Sequence, residues 1–395
     1  MKIFQSYLSV IIAIACVFQV VAKAAENLLT VPADYLTIQA AVDAAADGDT
    51  ILVLPGTYIE PIKVVGKNLT IASRFINSKD NDDIASTVLE GKGKDGKSKT
   101  ILSVGPSHSE MVRLIGFTIQ NADHAVINRG RMEVLHNHFK GNKDALSFED
   151  GRGFARFNTF EDDGDDGIDM DGSSEATIED NVFRNNHDDG IEIRLHKYHG
   201  EPLNISIRRN IFEGNQEDGL QLIDYPDKSN RTIRIERNLF VRNAMAGIGC
   251  MKDGNTKENY EGTDLVEQVF IIHNTLVDNT YGITGGDNMM LLNNLIAGTK
   301  KTALKRIHGD SAAGPNLLWK NGQDTEDCDL SPDVFISNDP RLNNAHQLQK
   351  GSACINTGAS TFSFNGDRIA FSADSVSDNA PDIGAFEFGQ TTLQP

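Results

Sequence analysis

Six aspartates lie within residues 162–171 of this 395-residue chain. Carboxylates spaced this closely on a rigid surface repel each other strongly. A hard cation relieves that repulsion, and Ca²⁺ accepts about six to eight oxygen ligands from flexible sets of carboxylates. The cluster therefore predicts a calcium site. The alternative is a solvated acidic turn in which aspartates cap glycine turns.

A repeated sequence unit places further acidic residues beside this cluster. Asp144, Asp166, Asp189 and Asp218 each precede Ala or Gly and then a hydrophobic residue. In a strand, the second and fourth residues after each Asp point inward and the third and fifth point outward. Outward side chains of adjacent coils then lie roughly 5–7 Å apart. The ligands predicted from three successive units are Asp144, Asp165, Asp166, Asp169, Asp189 and Glu192.

Three successive units are longer than the others, and their extra residues follow the acidic strands. These insertions are residues 195–200, 224–229 and 252–264. Insertions at one position of successive repeats stack beside one face, which is often the binding face. Their cations and tyrosines suit an anionic sugar. We predict catalytic roles for Lys197, Arg194, His196 and Tyr225, and substrate contacts for Glu149, Asp171, His199 and Lys228.

These groups suit β-elimination on a uronic acid. Ca²⁺ with Arg194 would neutralise the C6 carboxylate. Lys197 is the candidate base, because Arg194 or the metal would lower its pKa. His196, His199 or Tyr225 would assist the departing oxygen. C5-epimerisation uses nearly the same groups, so the two reactions stay open.

Other functions remain open on the same face. Asp169, Asp171 and Glu192 offer the acid and base of a glycoside hydrolase. A polysaccharide-binding surface protein would need only the metal and the loops. A carbohydrate esterase finds no supporting Ser/His/Asp set. The expected partner in each case is a polysaccharide, and the prediction preferred is a calcium-dependent lyase acting on an anionic one.

One long repeat supplies the elements that hold these residues. Asn-x-Phe or Asn-x-Leu recurs at steps of 21 to 36 residues, with short period-2 segments around it. Strand, Asn or Gly turn, and strand again is typical of a parallel β-helix, with a β-sandwich as the alternative. Inward Ile, Leu, Val and Phe would stack, and the Asn side chains would form an amide ladder. The Asn positions are Asn137, Asn158, Asn181, Asn210, Asn238 and Asn274.

The ends of the chain differ from the repeat. Residues 37–46 predict an amphipathic helix that caps the first coil. Strands are predicted at 50–54, 69–71, 100–104 and 112–120. We expect one all-β domain from residue 25 onward: a cap and first coil to 60, coils over 61–300, and last coils with an irregular C-terminal cap over 301–395.

The opening and closing segments resemble a known superfamily. Residues 37–58, TIQAAVDAAADGDTILVLPGTY, resemble the start of right-handed parallel β-helix proteins of the pectate-lyase-like superfamily, and residues 382–387, DIGAFE, resemble the ending of bacterial secreted members. Asp165-Asp-Gly-Ile-Asp169 resembles the calcium motif of family 9 polysaccharide lyases. That resemblance implies a further ligand from the preceding coil, which Asp144 matches best, and a catalytic Lys that no motif locates.

Charge and targeting limit the remaining classes. The net charge of −19, without a Lys/Arg block, argues against nucleic-acid binding. Residues 1–24 are interpreted as a cleaved signal peptide and predict a secreted or periplasmic protein without a membrane span. We also expect the protein to be a monomer. Cys16 makes a lipoprotein anchor a minor alternative. Cys328 and Cys354 either form a disulfide or stay as thiols.

Overall fold

The computed structural model describes residues 27–92, 96–97, 99–107, 109–261, 263–370 and 380–390. The predicted signal peptide, residues 1–24, lies outside the described residues. No helix in the described part of the chain has the length and apolar character needed to cross a membrane.

Three parallel sheets run the length of the described chain, and each regular coil contributes one strand to each of them. This arrangement confirms the predicted parallel β-helix. Sheet A contains Leu28–Val31, Thr50–Val53, Leu69–Ser73, Met111–Ile115, Arg131–Leu135, Arg152–Arg156, Glu175–Glu179, Tyr198–Arg208, Ser229–Glu236, Gln268–Ile272, Met289–Leu292 and Ala312–Ala313. Sheet B contains Gly56–Tyr58, Thr87–Glu90, Thr118–Gln120, His138–Lys140, Thr159–Glu161, Val182–Arg184, Ile211–Glu213, Leu239–Val241, Thr275–Val277, Leu295–Ala297, Asn316–Trp319 and Phe335–Ile336. Sheet C contains Ile62–Val64, Leu102–Val104, His124–Asn128, Asp144–Glu149, Ile168–Asp171, Ile191–Arg194, Leu220–Ile223, Ala246–Met251, Tyr281–Thr284, Thr302–Lys305 and Gln323–Glu326.

The core consists of stacked inward side chains, as the alternation in sheet C predicts. Phenylalanines of sheet B form a stack in which consecutive ring centroids are 4.6 to 4.9 Å apart, from Phe139 to Phe240. The inward residues of sheet C are all buried: Leu146, Phe148, Ile168, Met170, Ile191, Ile193, Leu220 and Leu222. Their alternation fixes which side chains face outward.

The predicted amide ladder is present at the turn between sheets A and B. The Asn158 side-chain amide donates to Asn181 Oδ1 at 3.0 Å, and Asn181 donates in the same way to Asn210 at 3.0 Å. Each backbone N–H of the series also donates to the Oδ1 of the next Asn. The ladder extends in both directions beyond these three, from Asn137 to Asn316.

The N-terminal helix is Ile38–Ala44, within the predicted 37–46. Thr37 caps it by accepting from the Ala40 N–H at 3.1 Å, and Ile38 and Val42 are buried against the first coils. Two further short helices, Phe75–Ser78 and Asn81–Ser86, follow the third strand of sheet A, and a 3₁₀ helix spans Pro332–Val334.

Two predictions from the sequence are corrected, one for a strand and one for an insertion. Residues 112–120 form two strands in different sheets, because Gly116 turns the chain at φ +80° where a Cβ would contact Ser73 Oγ at 2.7 Å. The predicted insertion 195–200 is partly regular, because the sheet A strand Tyr198–Arg208 begins inside it.

The C-terminal residues pack back along the sides of the coils. The antiparallel hairpin Thr361–Phe364 and Asp367–Ala370 covers sheet A through Phe364, and residues 382–387 lie against sheet B. Gly384 N–H donates to the Asn293 carbonyl at 2.8 Å, and Glu387 pairs with Arg237 at 3.4 Å. Cys328 and Cys354 are free thiols, so the disulfide alternative is not present.

Candidate functional site

The outward face of sheet C brings the predicted acidic residues into one row. Parallel pairing places Ser147 beside Asp169, Asp169 beside Glu192, and Glu192 beside Gln221. The row alternates with buried Ile168, Met170 and Ile193, so its orientation follows from the hydrophobic pattern. Asp169 and Glu192 therefore come from adjacent coils, as predicted.

Arg194 lies at the centre of three carboxylates. Its guanidinium is 2.5 Å from Glu192 Oε1, 3.4 Å from Asp169 Oδ1 and 3.3 Å from Asp171 Oδ2. The partners raise the pKa of Arg194 against the opposing effect of burial, so Arg194 stays protonated. A permanent cation at this position can bind a substrate carboxylate but cannot act as a base.

The Asp-Gly positions form a second column at the turn that leads into sheet C. Asp189 N–H donates to Asp166 Oδ1 at 3.0 Å, and Asp218 N–H donates to Asp189 Oδ1 at 2.6 Å. Asp218 Oδ1 accepts from the Ala246 N–H at 2.5 Å and from the Tyr260 hydroxyl. These bonds show the turn-capping role that was the alternative to metal binding, and they use one oxygen of each carboxylate.

Carboxylates from both columns meet in three overlapping groups, in each of which one oxygen per residue lies within 4.8 Å of the others. The groups share Asp166 and Asp188, so they form one continuous acidic edge. They are Asp166, Asp169 and Glu192; Asp165, Asp166 and Asp188; and Asp188, Asp189, Glu217 and Glu258.

Three members of this edge were not predicted from the sequence. Asp188 and Glu217 occupy the position before the Asp-Gly pair, as Asp165 does, so extending that column by two coils would have found them. Glu258 comes from the insertion after Met251 and reaches the edge by a path that no repeat encodes. Its Oε1 accepts from Gln221 Nε2 at 2.7 Å.

Burial and mutual repulsion make these carboxyl groups hard to ionise. Burial, with Asp171 beside it, raises the pKa of Asp169 to about 7. Burial raises the pKa of Glu192 to about 8 despite the opposing charge of Arg194. The pKa of Glu217 rises to about 10 through burial and its contacts with Asp188 and Glu258. Either protons or a cation must therefore neutralise the edge near pH 7.

Asp144 lies at the border of the edge. Its Oδ2 is 2.7 Å from His124 Nδ1 and 3.5 Å from Lys143 Nζ. Burial raises its pKa, and Asp165 of the next coil contributes to that rise. Asp144 is thus next to Asp165, as predicted, but it belongs to none of the three groups.

Two predicted aromatic residues form a wall beside Arg194. The ring centroids of His196 and Tyr225 are 4.5 Å apart, and the two ring planes are inclined at 43°. His196 Nδ1 accepts from the Gly172 N–H at 3.2 Å and lies 3.7 Å from Asp171 Oδ1. A neutral His196 therefore carries its proton on Nε2, where it can donate to a ligand.

The remaining predicted residues lie farther from the edge. Glu149 pairs with Arg129, and Lys197 pairs with Asp227 at 3.0 Å on the exposed surface. His199 and Lys228 are exposed, and among the described residues no hydrogen bond or ion pair connects either one with the acidic edge. The structure thus assembles the predicted acidic residues more closely than the predicted cations.

The donor set suits a hard cation. All nine acidic members of the edge and its border offer carboxylate oxygens, with no Cys and with His124 only at the border. Ca²⁺ and Mg²⁺ prefer such oxygen ligands. Each carboxylate in the Asp column keeps its second oxygen free of the backbone bond that the first one accepts. The edge could hold a metal.

The comparison with protein-family models agrees with the fold. A family model described as a right-handed beta helix region matches residues 124–296. No relative was found among curated proteins. The chain is similar to the solved structure of pectate lyase Pel9A, at 13% identity over 89% of this chain and 91% of that chain, with a TM-score of 0.45. It is also similar to the periplasmic alginate epimerase AlgG, at 13% identity over 73% and 76% with a TM-score of 0.47, and to a family 28 exopolygalacturonase of Yersinia enterocolitica, at 14% identity over 80% and 78% with a TM-score of 0.44.

Proposed function

We propose that this protein is a calcium-dependent lyase that cleaves a uronic-acid-containing polysaccharide by β-elimination. The observation that carries the proposal is the juxtaposition of Arg194 with Asp166, Asp169 and Glu192 on the outward side of sheet C. The edge offers only carboxylate oxygens to a hard cation, and the Arg194 guanidinium lies next to it. A bound cation and Arg194 would together provide two cationic groups for one substrate carboxylate. We further propose export by the N-terminal segment.

The residues divide into binding and proton-handling groups. Bound Ca²⁺ would supply a Lewis acid that, with Arg194, neutralises the C6 carboxylate and acidifies the C5 proton. Asp169 and Glu192 orient Arg194 through their ion pairs. The Nε2–H of His196 lies across the ring from the nitrogen that accepts from Gly172, and it can donate a hydrogen bond to the leaving oxygen.

Lys197 is the proposed base, and its ion pair defines a requirement. Lys197 Nζ donates to Asp227 Oδ2 at 3.0 Å. Lys197 must therefore leave Asp227 when substrate binds, which its largely exposed side chain permits. Lys197→Gln should abolish cleavage but keep calcium affinity, whereas Lys140→Gln, at a similarly exposed lysine of an ion pair on sheet B, is the matched control.

A specific observation favours a second candidate, a glycoside hydrolase. The pKa values of about 7 for Asp169 and about 8 for Glu192 give protonated carboxyl groups at neutral pH, as a general acid requires. The two candidates differ in what neutralises the edge. A lyase uses the cation there, whereas a hydrolase uses the protons.

The experiment is an absorbance assay for unsaturated uronates with polygalacturonate and alginate, with Ca²⁺ or with chelator. A calcium-dependent rise that Asp169→Asn abolishes supports the lyase. Asp162→Asn is the matched control, because Asp162 is exposed in the same segment. New reducing ends without absorbance, unaffected by chelator, would favour the hydrolase instead.

A further inference from the structure

The connection from sheet C to sheet A after Met251 differs from those on the other side of the site. Residues 252–267 separate Met251 from Gln268, whereas only Arg129 and Gly130 separate the corresponding strands two coils before Asp169. The connection that follows Glu149 is equally short. Among these three connections from sheet C to sheet A, only the one after Met251 is long.

This insertion covers the face of sheet C directly beyond the site. In the row of Asp169 and Glu192 the next residues are Gln221, Gly249 and Thr284, and Gln221 and Thr284 are each 1% exposed. The Tyr260 ring lies over Gly249, where an added Cβ would be 3.1 Å from the ring and 1.7 Å from Asp218 Oδ2. A side chain at position 249 would collide with Asp218 and press against Tyr260 of the insertion.

The second outward row changes in the same way. Arg194 is followed by Ile223 and then Met251 in the next coils. Both are fully buried in a cluster with Tyr260, with Tyr225 packed against it. The face changes from charged to apolar at the coil where the insertion begins to cover it.

The insertion is held at several points along its length. The Tyr260 hydroxyl donates to Asp218 and accepts from the Ala246 N–H at 3.2 Å. Gln221 donates to Glu258 at 2.7 Å, as described above, and the Thr263 hydroxyl donates to Asp224 Oδ2 at 2.9 Å. These bonds join the insertion to both edges of sheet C, so it forms a fixed wall.

On the opposite side the row continues with Ser147, and then with Ile127 and Ser103 in the two coils before it. Ser147 and Ile127 are 4% and 8% exposed, but the connections that follow their strands are only two residues long and carry no insertion. Three coils at the strand spacing extend about 14 Å. A sugar chain bound at Asp169 and Glu192 would run along this side, because the insertion after Met251 occupies the other.

We propose that the insertion, through residues 252–261 and Thr263, closes one end of the substrate-binding face of sheet C, so that the protein accepts a chain terminus against the Tyr260–Glu258 wall and acts from the end of the polymer. This inference rests on the proposed function for its substrate class. It assigns a specificity-determining role to Tyr260 and Glu258, which hold the wall in place.

The test compares viscosity with bond cleavage for the wild-type protein on polygalacturonate and alginate. End action predicts that viscosity falls slowly while short products accumulate from the start. A rapid loss of viscosity at a small fraction of bonds cleaved would overturn the end wall and leave the lyase proposal intact.

Binding separates the two proposals if no polymer is cleaved. Calorimetric titration with polymer fractions of two lengths gives the number of protein molecules per chain. An end binder gives the same number for both lengths, which would support the wall although the lyase proposal had failed. A number that grows with length, or no binding at all, would overturn the wall.

A shortened variant extends the test. Replacing residues 252–264 with a Gly-Ser turn is expected to convert end action into internal cleavage or binding. Thr256→Ala, which changes an exposed residue of the same insertion, serves as the control that retains end action. If the shortened protein does not fold, the wild-type viscosity and stoichiometry still decide the question.

Discussion

Two columns of stacked polar side chains run through the same coils and behave differently. In the Asn ladder, the Asn181 amide donates to Asn210 Oδ1 while Asn181 Oδ1 accepts from Asn158. In the Asp column, Asp166 and Asp189 accept one backbone N–H each, and neither carboxylate can donate to the next. An amide stack satisfies itself, whereas a carboxylate stack needs protons or cations from outside.

This difference separates structural repetition from functional repetition. Both columns obey the same coil spacing and both are buried. The Asn ladder needs nothing beyond its own coils, so it contributes to stability alone. The Asp column and its neighbours hold charge that the fold does not neutralise, which makes that edge the candidate site.

The largest expected effect comes from replacing one Asp of the Asp column by Asn, the residue that forms the ladder. Asp166→Asn removes a shared member of two carboxylate groups and lowers their charge. We expect calcium affinity to fall by about 10–100-fold or more, as for other changes around metal ligands, with a matching loss of activity. Calorimetric calcium titration measures it, and unchanged affinity would remove Asp166 from the metal site.

The second effect breaks the ladder instead. Asn181→Ala leaves the Asn158 backbone N–H and one of its two side-chain amide hydrogens without an acceptor in the buried turn, while the other hydrogen still donates to the Val134 carbonyl. Two unsatisfied buried groups are expected to cost about 2–4 kcal/mol of unfolding free energy. Urea denaturation measures this loss, and calcium affinity should stay at the wild-type value. A loss of calcium affinity as large as that of Asp166→Asn would show that the columns are not independent.

The third effect is a pH dependence confined to the calcium-free protein. Asp169 and Glu192 have folded pKa values of about 7 and about 8, above the ordinary values of 3.8 and 4.5. The folded state therefore binds more protons than the unfolded state, so its stability should fall as pH rises from about 4 to 8. Thermal denaturation at several pH values measures the slope. Saturating Ca²⁺ should flatten it, and an equally steep slope with Ca²⁺ would argue against a cation at this edge.

The comparison also explains what the sequence could predict. The ladder, the inward residues and Asp165, Asp166, Asp169 and Glu192 follow from a repeat in which each coil copies the last. Glu258 and Tyr260 do not, because a single insertion carries them across sheet C by contacts that occur once. Residues 112–120 were predicted as one strand because their hydrophobic residues continue on both sides of Gly116. The turn that Gly116 makes at positive φ cannot be seen in that pattern.

The smallest expected effect concerns Asp163, an aspartate that occupies an asparagine position in a second amide ladder. A second amide ladder passes through Asn142, Asn186 and Asn215, and Asp163 takes the place of Asn between the first two. Asp163 Oδ1 accepts from the Asn142 amide at 3.0 Å. Among the described residues Asp163 Oδ2 has no hydrogen-bond partner, whereas the amide at the equivalent position of Asn215 donates to Asn243 Oδ1 at 3.0 Å. Burial raises the pKa of Asp163 to about 8, so the folded protein keeps it protonated at acidic and neutral pH.

Asp163→Asn restores the missing donor and should stabilise the protein by about 1–3 kcal/mol at pH 8. The gain should be smaller near pH 5, because the protonated Asp163 of the wild type donates there as an amide would; stability from this group is lost as pH rises from about 4 to 8. Urea denaturation at both pH values measures the gain, with exposed Asp162→Asn as the control. If Asp163→Asn brings no gain at pH 8, the second oxygen of Asp163 has a partner after all, and the acidic edge extends into the ladder.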